Sequence, residues 1–169
     1  MQLIKTVVIG ALVLGAGTGA ATAQGTAPPC NSDAHRAFDF WVGEWNVHGP
    51  QGKVAGTNSI TREYDGCVIH EHYVTGRGYS GESLNAYDPT RGVWHQTWVD
   101  SSGALLLLEG GMRGTSMVLE GKAPGAEGKI ALQRISWTPA ADGSVRQLWE
   151  AQGGDGKWSV VFDGKYTRK

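Results

Sequence analysis

Turn signals recur roughly every dozen residues along most of this chain, and they limit its fold more than any other feature. They are Pro50-Gln51-Gly52, Asp65-Gly66, Gly76 to Gly81, Asp88-Pro89-Thr90-Arg91-Gly92, Ser101-Ser102-Gly103, Arg113-Gly114, Pro124-Gly125, Asp142-Gly143 and Gly153-Gly154-Asp155-Gly156. Asp-Gly and Pro-Gly pairs provide the positive φ or preset bend that a hairpin needs. Between the turns, from Phe40 onwards, apolar and polar residues alternate with period two, the spacing of half-buried strands. Nine turns therefore separate ten candidate strands. Every connection is short, so sequence neighbours pair antiparallel.

Ten such strands could build a propeller, a sandwich or a barrel. A propeller blade needs about 40 residues, so the 146 residues that follow position 23 are too few for four blades. A Greek-key sandwich needs a long crossover, and none is visible. An up-and-down barrel buries every strand edge with hairpins alone. The expected fold is an all-β, ten-stranded antiparallel up-and-down barrel. One short helix precedes it, where Ser32 can cap Asp33-Ala34-His35-Arg36-Ala37-Phe38.

Composition agrees. Glycine contributes 26 of 169 residues, about twice the usual 7 %, and seven tryptophans supply surface to bury. The formal charge of −1 offers no basic face for nucleic acid. Residues 1–23 read as an export signal: Lys5, an apolar run from Val7 to Leu14, and the small-residue site Ala21-Thr22-Ala23. That run is shorter than the roughly 20 residues of a membrane span, so no membrane partner is expected after cleavage. The expected organisation is a signal over 1–23, a linker and short helix over 24–39, and a barrel over 40–169, periplasmic or secreted. In an oxidising compartment Cys30 and Cys67 are expected to bridge. Two buried free thiols are the alternative reading.

Gly43-Glu44-Trp45, on the first strand just after the helix, resembles the Gly-x-Trp signature of lipocalins and their calycin relatives. In that superfamily a basic side chain from the last strand packs across the tryptophan ring. The resemblance gives Arg168 that role, a cation–π contact of roughly 0.5–2 kcal/mol. Over essentially the whole mature chain the sequence also resembles small exported bacterial proteins of a lipocalin-like domain family of unknown function. The matching stretches include Phe38 to Trp45, Gly66-Cys67, Ser83 to Asp88, Trp94 to Asp100 and Arg146 to Glu150. Nitrobindins, which bind haem through a histidine late in the chain, are more distantly similar. The last histidine here is His95, so no haem or other cofactor is expected.

Alternate side chains of a barrel strand point inward. On the fifth strand one face carries Trp94, Gln96, Trp98 and Asp100, and the other Val93, His95, Thr97 and Val99. Two indoles facing water would form a costly apolar patch, so the tryptophan face is placed inside. The same alternation brings in Ile69, Glu71 and Tyr73, then Asn85 and Tyr87, then Gln147 and Trp149, with Arg134 facing them from the eighth strand. The expected site is a small-molecule pocket. In it Tyr73, Trp94, Trp98 and Trp149 stack on an apolar or aromatic ligand, while Glu71, Asn85, Gln96, Asp100 and Arg134 orient its polar end.

Two other readings stay open. Glu71 or Asp100 with an arginine could run acid–base chemistry of an isomerase or lyase type. Alternatively, the interior is filled and the same charges form a structural network. No nucleophile elbow, phosphate loop or metalloprotease helix is present. His70 and His72, with His95 nearby, have the spacing of half a zinc site. The register that buries the tryptophans puts them outside, where solvated histidines and no metal are expected.

Overall fold

A computed structural model describes residues 29–125 and 128–169. The expected export signal over 1–23 lies outside these residues. Ten strands follow a short helix: α1 (Asp33–Arg36), β1 (Gly43–His48), β2 (Val54–Glu63), β3 (Val68–Val74), β4 (Ser80–Asp88), β5 (Val93–Asp100), β6 (Leu105–Arg113), β7 (Ser116–Pro124), β8 (Ile130–Pro139), β9 (Val145–Gln152) and β10 (Trp158–Arg168). Each strand pairs antiparallel with its sequence neighbours, and β10 returns to β1 through Trp45 opposite Arg168, so the sheet closes into a barrel. Closure satisfies both edges of every strand, which an open ten-stranded sheet could not do. This is the up-and-down barrel expected from the turn spacing.

The expected cap is present, with the Ser32 side chain accepting from the His35 backbone N–H. The helix stops after one turn, and a 3-10 turn over Asp39–Trp41 carries the chain into β1. Cys30 is disulfide-bonded to Cys67, beside the start of β3. Closing a loop of 37 residues removes unfolded-state freedom amounting to about 3–4 kcal/mol. The bridge ties the N-terminal segment across one end of the barrel.

That end is plugged by aromatic rings. Phe38 stacks on Trp41 at 4.8 Å and meets Trp137 at 5.1 Å and Trp94 at 5.7 Å, edge to face. Trp41 and Trp137 also pack together at 5.2 Å. All four rings are buried. The Trp94 indole N–H donates to the Ala34 carbonyl, and the Trp45 indole N–H to the Trp41 carbonyl. Aromatic side chains bury about 150–250 Å² each, so these four rings contribute a large share of the core.

The Arg168 guanidinium lies 3.9 Å over the Trp45 ring and donates to the Val42 carbonyl. Gly43 makes this possible in two ways. Its φ of +144° is rarely accessible to other residues, and a side chain there would overlap the guanidinium.

The outer pleat carries ion pairs, alongside exposed apolar residues on β4, β5 and β6 (Leu84, Val99, Leu105 and Leu107). His70 bridges Glu63 and Glu82, His72 meets Glu82, Arg113 pairs with Glu120, and Arg146 with Asp163. His95 contacts Glu109 on the same outer side. No helix among the described residues is long and apolar enough to cross a membrane.

Candidate functional site

Away from the plug the barrel is hollow. A cavity of about 270 Å³ opens beside the turn between β3 and β4, where Thr75 and Tyr79 line its mouth. Its wall is mostly aromatic: Tyr73 from β3, Trp98 from β5, Trp149 from β9, and Phe162 and Tyr166 from β10. Leu106, Ile135 and Val161 complete the apolar lining, and Glu71, Gln96 and Gln147 supply its polar groups.

Alternation puts these residues on one side. Ile69, Glu71 and Tyr73 are all buried, as are Trp94 and Gln96 on β5, while the intervening His70, His72 and His95 face outward. Two glycines make room for rings. A side chain at Gly81 would overlap Trp98, and one at Gly164 would come within 2.6 Å of the Phe162 ring. The two aromatics thus lie flat against bare backbone, and the lumen beyond them stays open.

The polar groups form one chain of hydrogen bonds. Each Glu71 oxygen accepts one bond at 2.7 Å, Oε1 from Asn58 Nδ2 and Oε2 from Ser83 Oγ. Asn58 also donates to the Tyr166 hydroxyl, which donates to Gln147. On the other side, Gln96 donates to Asn85 Oδ1 at 2.8 Å, and Asn85 donates to Ser83 and to the Ile69 carbonyl. Buried amides and hydroxyls are costly unless paired, and here side chains from β2, β3, β4, β5, β9 and β10 pair most of them, leaving the Asn58 Oδ1 without a partner among the described residues.

Burial pushes the Glu71 carboxyl up to about 7, because the Ser83 and Asn58 donors offset only part of the lost solvation. Burial likewise raises the hydroxyls of Tyr73 and Tyr166, with the Glu71 charge adding to it. Asp100 behaves oppositely. Partial burial would raise it, but bonds from Ser102, Trp98 and Tyr79 outweigh this and hold it at about 2. It fixes the rim by accepting from the Trp98 indole at 3.0 Å and the Tyr79 hydroxyl at 2.9 Å.

Of the expected site residues, Glu71, Tyr73, Gln96, Trp98 and Trp149 line the cavity. Asn85 lies behind Gln96 and supports it. Asp100 positions Trp98 without lining the cavity. Two expectations fail. Trp94 faces inward but belongs to the plug, because β5 begins at the closed end and the N-terminal segment covers its first inward residue. Arg134 points outward. Gln133, Ile135 and Trp137 take the inward pleat of β8, leaving Arg134 to pair with Glu150 at 3.0 Å and cover the Trp158 ring at 4.0 Å. Arg146 also pairs on the outside, with Asp163. An acid–base pair of Glu71 or Asp100 with an arginine is therefore not assembled among the described residues.

Sequence reasoning missed Tyr79, Phe162 and Tyr166. Phe162 and Tyr166 share a face with Gly164, a signal interrupted upstream by the bulge between Val160 and Phe162. Among the described residues no group of three or more His, Cys, Asp or Glu could hold a metal ion. No protein-family model matches the chain, and a comparison with curated proteins finds no match.

Proposed function

We propose that this protein is an exported, lipocalin-like barrel that binds a small apolar or aromatic molecule in its half-open cavity. The observation that carries this reading is the division of the lumen. One end is closed by stacked rings, while the other keeps an aromatic wall over a hydrogen-bonded polar floor centred on Glu71. A volume of about 270 Å³ is just below the lower end of drug-sized sites at about 300 Å³, which suits a body of one or two rings. Residence in the periplasm or outside the cell is supported by the disulfide, which persists in oxidising compartments. Ion pairs on the outer pleat support a barrel surrounded by water. The likeness to lipocalins, carried by Gly43, Trp45 and Arg168, fits the same barrel reading.

Native mass spectrometry of protein isolated from its own host is the direct test, together with titration of the neutral fluorescent probe N-phenyl-1-naphthylamine. Retained small-molecule mass, or saturable one-site probe binding, is expected. An Ile135→Trp variant, which fills the cavity, is expected to lose both. If the wild-type protein carries no mass and does not bind the probe, the reading is wrong.

A further inference from the structure

We propose that the cavity selects an organic cation: an aromatic or apolar body bearing a protonated amine that contacts the Glu71 carboxylate. The inference rests on the cavity being a binding site and names the class of molecule it takes.

The first observation is charge without a partner. Among the described residues, Glu71, 3 % exposed, makes no ion pair, and no lysine or arginine lines the cavity. The positive groups nearby are committed elsewhere. His70 is on the outer pleat between Glu63 and Glu82, and Arg134 and Arg146 pair with Glu150 and Asp163. A buried carboxylate normally has a cation beside it. Here the position a cation would fill is open lumen.

The second observation is unused capacity. A carboxylate offers about four acceptor positions, and protein donors occupy one on each oxygen. Ammonium N–H groups can use the rest.

The third is the wall. Tyr73, Trp98, Trp149, Phe162 and Tyr166 surround the space in front of Glu71, and aromatic faces attract cations, most strongly when water is excluded. At the mouth Asp100 sits beneath Trp98 and Tyr79, again without an ion pair to lysine or arginine. Asp100 at the mouth is thus ionised throughout, and Glu71 inside the lumen becomes so as pH rises through about 7. An anionic group inside the lumen would meet Glu71 and, among the described residues, no lysine or arginine in the lining; the basic residue by the mouth is Arg77, in the turn between Thr75 and Tyr79.

Cation binding should also move a proton. The empty cavity holds Glu71 partly protonated near neutral pH, because burial raises its carboxyl to about 7. An arriving ammonium favours the ionised form, so binding releases a proton and weakens as pH falls below 7. The other titratable groups facing Glu71 are Tyr73 from β3, Tyr166 from β10, and Tyr79 with Asp100 at the rim. The tyrosines stay neutral and Asp100 stays ionised through this window. His70, on the outer side of the same strand, acts on Glu71 through space, and its own pKa is raised above the ordinary histidine value. A neutral ligand in parallel controls for it.

The experiment compares 2-phenylethylamine with 2-phenylethanol, each displacing N-phenyl-1-naphthylamine from the full mature protein at pH 8 and pH 6. At pH 8 the amine is expected to bind at least about tenfold more tightly than the alcohol. That preference should shrink by about tenfold at pH 6, as Glu71 takes up its proton. Calorimetry at pH 7 in two buffers of different ionisation enthalpy should show about half a proton released per amine bound and none for the alcohol. Glu71→Gln should reduce the amine preference to within about threefold at both pH values. The wild-type pH and proton-release measurements stand even where that variant fails to fold. If the alcohol binds as well as the amine, or if the reporter binds and neither compound displaces it, the cation inference is overturned and the cavity reading survives. If the reporter itself does not bind, the cavity reading falls with it.

Discussion

The two halves of the barrel interior use the same residue type for opposite ends. At the closed end Phe38, Trp41, Trp94 and Trp137 meet ring against ring, are fully or almost fully buried, and leave no opening. In the hollow half Trp98 and Trp149 are only partly buried, and each is held at its indole N–H by a side-chain acceptor, Asp100 and Gln133 respectively. The difference lies in what stands opposite each ring. Plug rings face the N-terminal segment, tied down by the Cys30–Cys67 bridge. Cavity rings face only the far wall. An indole stabilises a core when another element completes its contact, and it lines a pocket when none does.

The largest test of that contrast is truncation. Trp137→Ala should cost about 3–5 kcal/mol of unfolding free energy, as expected for a fully enclosed aromatic. Trp98→Ala should cost clearly less in the same urea titration while weakening probe binding. Equal losses of stability would erase the distinction between plug and wall.

A second test concerns the polar floor. Glu71 is raised in the folded state from its ordinary 4.5 to about 7, so the folded protein holds this proton more tightly than the unfolded chain. The resulting stabilisation is complete below about pH 4.5 and is lost as pH rises through 7, in total on the order of 3 kcal/mol. Glu71→Gln removes that titration. Its stability relative to wild type should therefore climb between pH 4.5 and 7.5 and then level off. A difference that stays flat across this window would show that the carboxyl is not desolvated as described.

The smallest effect belongs to the seam outside the plug. Arg168→Met removes the guanidinium over Trp45 and should cost about 0.5–1 kcal/mol, the range for a cation–π contact at an exposed site. It should leave probe binding unchanged, because Trp45 and Arg168 do not line the cavity. A shift in probe affinity would mean that the closed end and the hollow half are mechanically coupled.

Much of the architecture was legible in the residues. Regular turns and period-two alternation specify ten antiparallel strands. Two indoles at Trp94 and Trp98 set the pleat of β5, and that pleat carries Gln96, Glu71 and Tyr73 inside with it. The errors have local causes. Arg134 was read one position out of phase on β8, where Gln133 and Ile135 occupy the inward face. Trp94 was assigned to the ligand because alternation tells which way a side chain points but says nothing of its height along the barrel axis. Tyr79 lies in a turn segment, outside the reach of strand periodicity.

What the sequence determined by itself was therefore what depends on near neighbours along the chain: strand number, antiparallel order and the inward face of most strands. Only the tertiary structure decided which end is sealed, that Glu71 is left without a cation among the described residues, and that Arg134 and Arg146 turn outward. The first set follows from backbone geometry, which repeats every two residues. The second depends on which side chains meet across the lumen from strands far apart in sequence, and on where one short N-terminal segment is laid down.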